Sequence, residues 1–337
     1  MKKVKLGKSN VKATRIALGT WAIGGSGWGG TDEKESIETI QEAIDKGVTM
    51  IDTAPAYGQG LSEELVGKAI ASSNVKREDL VIATKAGIGF TEDSNYRDTR
   101  ASRLEKELHE SLNRLQTDYI DVYQIHWPDT DVSIEETATK MKEFYEEGKI
   151  HAIGVSNFSP EQMDEWQKYA PIHTSQMHLN MLQRYLIDWF EYCKKHDIAT
   201  LSWGSLAHGM LTGKYTKDAS FSDDDLRSKI ELFQGERFPS MIDAVEELER
   251  FGEKKDLNVI QLAIRWLLDH EYGADVALWG ARKPSQMDGV EGADNVTLSN
   301  VDLKQIDDIL YKHVDDLENG SLEEYGPPMR SALQTSK

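Results

Sequence analysis

Leu80-Val81-Ile82-Ala83-Thr84-Lys85-Ala86 and Ile120-Asp121-Val122-Tyr123-Gln124-Ile125-His126 are two short, largely apolar runs. Between them, Leu104, Leu108, Leu112 and Leu115 recur at helical spacing and so share one face of a helix. A strand, a helix and a second strand in that order make a unit whose strands run parallel. Neither run alternates cleanly, as expected of parallel strands covered on both faces.

The same alternation extends in both directions. Ile16–Trp21 and Thr49–Ala54 read as strands before this unit. Ile150–Asn157, His173–Asn180, Ile198–Gly204 and Asp275–Gly280 follow it. Ile37, Ile40 and Ile44 mark an early helix face, and Ser133 with Glu136 and Ser159 with Gln162 read as capping boxes, the second with Pro160 at the first helical position. Gly47 and Gly148 stand where helices should stop. Eight strand–helix units predict an α/β fold, the (β/α)8 TIM barrel. Such a barrel needs about 250 residues, and the chain has 337. The surplus is expected as an N-terminal hairpin (Lys3–Leu6 with Val11–Ala13) across the barrel bottom, a long polar loop after strand seven (Tyr215–Phe238), an extra C-terminal helix (Leu303–Val314), and a tail at residues 319–337 over or near the active-site rim. No low-complexity linker divides the chain, so residues 1–337 are expected to form one domain.

A net charge of −19 argues against nucleic acid and anionic membrane as partners. Hydrophobic residues at 39% and charged residues at 29% fit a soluble globular protein. No run reaches the roughly 18 apolar residues of a membrane span. Met1–Asn10 has no apolar stretch behind its lysines and does not read as a signal peptide. Cys193 is the only cysteine, which excludes an internal disulfide framework and fits a reducing cytoplasm. The sequence suggests no obligate protein partner.

Active sites of such barrels lie at the C-terminal ends of the strands. Strand two ends in Asp52, with Tyr57 just beyond; strand three ends in Lys85 and strand four in His126. A phenol ordinarily titrates near 10 and is a weak acid at neutral pH. A neighbouring Lys85 ammonium is expected to lower that value, with Asp52 holding the lysine. A neutral His126 can donate a hydrogen bond to a carbonyl oxygen. Together these groups can polarise a C=O and deliver a proton while hydride reaches the carbon, and no metal is required. His126, His151, His173 and His178 show no ligand spacing and there is no H-E-x-x-H.

Seven segments carry a resemblance: Leu18–Trp21, Ile51–Gly58, Ala83–Lys85, Gln124–Asp129, Gly154–Ser159, Leu211–Lys214 and Ala277–Pro284. In this order and spacing the chain resembles the aldo-keto reductase family from end to end, most closely its bacterial subgroup of general stress proteins and glyceraldehyde reductases. The resemblance implies a catalytic tetrad of Asp52, Tyr57, Lys85 and His126, with Tyr57 the general acid. It also implies NADP(H) bound in extended form across the barrel mouth. Carried over position by position, Thr20, Trp21 and Asp52 fall at the cofactor site. Ser156, Asn157 and Gln176 match the residues that hold the nicotinamide carboxamide, and Trp203 stands where the family usually stacks a tyrosine on the ring. Gly204, Ser205, Leu206 and Lys214, with Arg227 in the long loop, match the pyrophosphate region. Gly280, Arg282 and Gln286 match the adenosine end, where the adjacent cations Arg282 and Lys283 suggest a 2′-phosphate and hence NADPH over NADH. Trp21, Trp28 and Trp127 are the expected contacts to a small carbonyl substrate. Leu179, Val290 and His208 depart from the common pattern; arginine or glutamine is usual at position 208.

Gly25, Gly27 and Gly30 fit G-x-G-x-x-G, the dinucleotide fingerprint of a Rossmann fold, with Asp52 ending the next strand. The glycines begin several residues past Trp21, however, and the fingerprint turn should follow its strand at once. The segment reads instead as a flexible loop over the pocket. A non-catalytic, cofactor-binding regulatory subunit of the same fold is the other alternative to a reductase.

Overall fold

In the computed structural model, residues 1–25, 27–91 and 94–334 are described. Eight parallel strands close into a barrel. A two-stranded hairpin, β1 (Lys3–Lys5) and β2 (Lys12–Thr14), precedes it. The barrel strands are β3 (Ile16–Gly19), β4 (Met50–Asp52), β5 (Val81–Ala86), β8 (Val122–Ile125), β9 (Ile153–Ser156), β10 (Thr174–His178), β11 (Ala199–Trp203) and β12 (Val276–Gly280). A second hairpin, β6 (Ile88–Phe90) with β7 (Asn95–Arg97), rises directly from the end of β5. The closed barrel excludes the Rossmann reading of the glycine segment, whose Ser26 lies outside the described residues.

Two apolar layers hold the barrel. Inside, Ala17, Met50, Ala83, Val122, Leu201, Val276 and Leu278 form a cluster that Leu6, Val11 and Ala13 of the first hairpin complete from below. Outside, Leu104 and Leu108 of the helix Ala101–Leu115 and Ile40 of the helix Glu33–Asp45 are buried against the strands, as their spacing requires. Ser159 and Gln162 form the reciprocal capping box. At Ser133 only half of the expected box exists: its hydroxyl accepts from the Glu136 amide at 3.2 Å, while the Glu136 carboxylate accepts from the Ala101 amide of the neighbouring helix at 2.9 Å. Gly47 and Gly148 follow helix ends with φ of 83° and 73°.

The register points the functional residues inward. Asp52 pairs with Ala83, and Lys85, two residues further along β5, stays on the same face and pairs with Gln124. Gln124 pairs with Gly154, and Ser156 with Gln176. The inward row therefore brings Asp52, Lys85, Gln124, Ser156 and Gln176 together toward the C-terminal ends of the strands. Gly154 is required by space, since a Cβ there would stand 2.6 Å from the Gln124 Cγ.

The surplus falls largely where the sequence predicts it. The extra helix is Asn300–His313. The stretch after β11 is less polar in practice than it reads: Tyr215, Phe221, Phe233 and Phe238 pack edge-to-face into an aromatic cluster that anchors it. Among the described residues no helix is long and apolar enough to cross a membrane.

Candidate active site

A cleft of about 850 Å³ opens at the C-terminal ends of the strands. At its floor the Lys85 ammonium, fully buried, donates to the Asp52 carboxylate at 2.6 Å, to the Thr53 carbonyl at 3.0 Å and to the Tyr57 hydroxyl at 3.1 Å. The other Asp52 oxygen accepts from Gln176 at 2.7 Å and from Gln124 at 3.3 Å. Tyr57 and His126 meet edge-to-face, with ring centroids 5.8 Å apart. The four residues expected from strands β4, β5 and β8 and the loop after β4 thus converge. Thr53 and Gln124, which the sequence reading passed over, complete the network.

Local backbone fixes Tyr57. A Cβ at Gly24 would lie 2.5 Å from the Tyr57 carbonyl carbon, and one at Gly58 (φ 67°) 2.4 Å from the Gly24 carbonyl oxygen. Two glycines therefore let the turn carrying Trp21 lie directly on the Tyr57 loop. The Trp21 ring stacks on Tyr57 at 6.4 Å.

The charge states follow from burial and pairing. Burial pushes the Tyr57 phenol above its ordinary 10, and the Lys85 charge pulls it back only in part. This corrects the expected lowering: a phenolate in this low-dielectric pocket is disfavoured more than one ammonium, itself shared with Asp52, can offset. Burial works against the Lys85 ammonium, but Asp52 and Tyr57 outweigh it and leave it raised and charged. Burial, then the Lys85 charge, holds His126 well below its usual range, so the imidazole is neutral. The floor accordingly presents a protonated phenol beside a neutral imidazole.

Every expected cofactor residue except Thr20 lines the cleft, as do Trp28 and Trp127. Thr20 is buried beneath it, where its hydroxyl donates to the Asp52 carbonyl at 2.9 Å and accepts from Ser62 at 2.7 Å. Trp203 donates its indole N–H to the Asn157 amide oxygen at 3.0 Å, while the Asn157 amide donates to the His126 carbonyl at 3.2 Å and to Ser156 at 3.1 Å. The Arg282 guanidinium turns toward the loop after β3, hydrogen-bonding the Trp28 carbonyl and, at 2.6 Å, that of Gly30. Gln286 accepts from the Arg282 and Lys283 amides at 2.7 and 3.1 Å. The glycine loop therefore does lie over the cleft, and it is latched there by Arg282. Arg227 is held by Asp225 and Tyr215. Non-glycine residues with positive φ gather here, at Gln59, Asn157, Ala207 and His208, as such conformations do at functional sites.

The tail forms one wall. Tyr325 to Pro328 line the cleft. Arg97 on β7 holds them, its Nε donating to the Pro327 carbonyl at 2.8 Å and its backbone N–H to that of Pro328 at 2.9 Å. The same guanidinium lies 5.2 Å from the Trp127 ring. No sequence signal marks Arg97 or Tyr325 for this work. Residues 335–337 of the tail are outside the described residues.

Several polar atoms of cleft-lining residues have no partner in the protein: Trp28 Nε1 and both ring nitrogens of His208. Lys214 lines it without an ion pair among the described residues. Buried polar groups of this kind call for a polar, anionic occupant, which fits a nicotinamide dinucleotide. Among the described residues no group of three or more His, Cys, Asp or Glu is placed to hold a metal ion.

The comparisons agree with this geometry. Residues 15–311 match the Aldo/keto reductase family. The chain is 49% identical to the aldo-keto reductase YhdN of Bacillus subtilis, over 94% of this chain and 96% of that one. It is 32% identical to the NADH-specific methylglyoxal reductase of Escherichia coli, over 90% and 96%. Among solved structures it superposes on the glycerol dehydrogenase AKR11B4 from Gluconobacter oxydans with a TM-score of 0.86 at 42% identity, covering 95% of this chain and 97% of that one. The chain belongs to the aldo/keto reductase family of oxidoreductases, which act on carbonyl compounds.

Proposed function

We propose that the protein reduces small aldehydes, and ketones of similar size, to alcohols, with Tyr57 as the proton donor and NADPH as the preferred reductant. The observation that carries this reading is the Tyr57 phenol, protonated at neutral pH and 3.1 Å from the buried Lys85 ammonium. When bound, the reduced nicotinamide supplies the hydride. Ser156, Asn157 and Gln176 would hold its carboxamide and Trp203 its ring. Tyr57 and His126 both donate to the substrate oxygen, and the Tyr57 proton passes to it as negative charge develops. Lys85, kept charged by Asp52, stabilises the phenolate left behind. Trp21, Trp28 and Trp127 wall the substrate space and exclude water. The cavity volume lies toward the upper end of the 300–1,000 Å³ typical of ligand pockets, which favours a dinucleotide together with a small carbonyl.

The preference for NADPH rests on Arg282 and Lys283, adjacent cations at the adenosine end of a chain of net charge −19. The Escherichia coli relative is NADH-specific, so the comparison to make is NADPH against NADH. The test is nicotinamide consumption with short, hydroxylated and aromatic aldehydes. Tyr57→Phe should keep cofactor affinity and lose about 10²–10⁴-fold in kcat. A variant within a few-fold of the parent overturns the assignment of the acid. Tight nicotinamide binding with no turnover of any carbonyl would instead favour a regulatory, cofactor-binding protein.

A further inference from the structure

His208 departs from the family pattern and was given no role above. It sits in the turn after β11, between Ser205 and Lys214, in the part of the cleft wall that the family resemblance matches to the diphosphate. Its backbone is left-handed (φ 54°, ψ 25°), a conformation that is strained for a non-glycine residue and that gathers at functional sites. Only 6% of the residue is exposed, yet neither ring nitrogen has a hydrogen-bond partner. The ring is clamped nearly parallel to Tyr325 (5.6 Å, 5°) and to Trp28 (6.3 Å, 12°), with Trp21 meeting it edge-on at 5.7 Å.

We infer that His208 is a binding residue for the diphosphate of the dinucleotide and that it takes up a proton when the dinucleotide binds. The inference rests on the proposed nicotinamide site. A neutral imidazole donates through one nitrogen; an imidazolium donates through both, and both are free here. In the protein alone, burial, with the Arg227 charge adding to it, holds His208 at about 4, so it is neutral. The other ionisable groups facing it provide no stable counter-charge. His178 is neutral through burial and is engaged by the Tyr185 hydroxyl at 2.7 Å. The Tyr325 phenol remains protonated, pushed well up by burial. Asp225 is spent on Arg227, and Lys214 repels a proton. Of the carboxylates that line the same cleft, Asp52 is committed to Lys85, and Glu324 lies on the tail segment with Tyr325. A diphosphate places two negative charges beside the ring, and an opposite charge within about 4–6 Å favours the protonated form. Arginine, usual in relatives, would carry that charge permanently. Histidine makes the same contact dependent on pH.

Calorimetric titration of the full chain with NAD+, in buffers of different ionisation heat, counts the protons taken up; NAD+ has no group of its own titrating between pH 5.5 and 8. Net uptake is expected to approach one proton at pH 6, with Kd at least several-fold tighter than at pH 8. His208→Gln should still bind but with uptake near zero. His208→Arg should bind with little change between pH 6 and 8, which keeps the test decisive if the Gln variant is unstable. NADP+ repeats the measurement with His208→Gln as its reference, because the 2′-phosphate titrates in this range. No uptake by the parent, or equal uptake by His208→Gln, overturns the inference while leaving the reductase reading intact. Failure of both nucleotides to bind the parent overturns the site itself.

Discussion

Lys85→Met separates what the buried ion pair does for the fold from what it does for the reaction. Lys85 is 0% exposed and Asp52 1%. The 2.6 Å pair therefore stands in a low-dielectric environment. Removing the cation strands the carboxylate, which keeps only the neutral donors Gln176 and Gln124. Breaking such a pair from one side costs about 3–5 kcal/mol. The double variant Asp52→Asn, Lys85→Met removes both charges and should recover most of the stability, but not the rate. The phenolate loses a charge-assisted hydrogen bond worth about 1.5–3 kcal/mol, or roughly 10–150-fold in kcat, in both variants. Denaturant melts and kcat, both at pH 7, read the two effects independently. A double variant no more stable than Lys85→Met, or kcat within a few-fold of the parent, would refute the reasoning.

Three further outcomes follow from the geometry. Arg282→Ala unlatches the Trp28–Gly30 loop and should weaken binding of NADPH and NADH alike, with an additional loss of about 1.5–3 kcal/mol for NADPH if the guanidinium also meets the 2′-phosphate; equal losses would show that it only holds the loop. Arg97→Ala frees the Pro327 and Pro128 carbonyls, which the guanidinium holds, and should raise KM for small aldehydes several-fold while Kd for NADPH stays put, and a change confined to Kd would show that the tail does not bound the substrate space. Glu107, buried against Arg103 and the Gly87 amide, has its carboxyl pushed up to about 7 by burial. Folding then favours its protonated form, so the parent should lose stability as pH rises from about 4.5 to 7, by at most about 1.4 kcal/mol per unit from this group; Tm measured across that range should flatten in Glu107→Gln, and an unchanged slope would place the effect elsewhere.

The strand-end chemistry was legible because a parallel barrel puts the C-terminal ends of all its strands on one rim. Asp52, Lys85 and His126 could be placed there from strand boundaries alone, and the loop after Asp52 is short enough to keep Tyr57 beside them. The direction of the Tyr57 shift was not legible. It depends on how much solvent the Trp21 ring and the pocket walls exclude, and no spacing rule contains that. Arg282 shows the same gap. Its charge and its place at a strand exit are sequence properties, but its commitment to the Trp28 and Gly30 carbonyls comes from a loop some 250 residues earlier in the chain. Thr20 shows it too: the family resemblance places it at the cofactor site, and only the fold shows its hydroxyl committed to the Asp52 carbonyl and Ser62.

Periodicity and the order of apolar runs were enough to determine the barrel, its bottom hairpin and its extra helix, because burial in a regular element repeats every two or every 3.6 residues. The walls of the cleft were decided only in three dimensions. The hairpin Ile88–Phe90 with Asn95–Arg97, the tail residues Tyr325–Pro328 and the His208 turn come from three distant parts of the chain and carry no period. Each is held by a few hydrogen bonds or ring contacts to another: Arg97 to Pro327, and Tyr325 to His208. Contacts of that kind depend on where a closed barrel brings separate loops together, and local sequence does not encode that meeting.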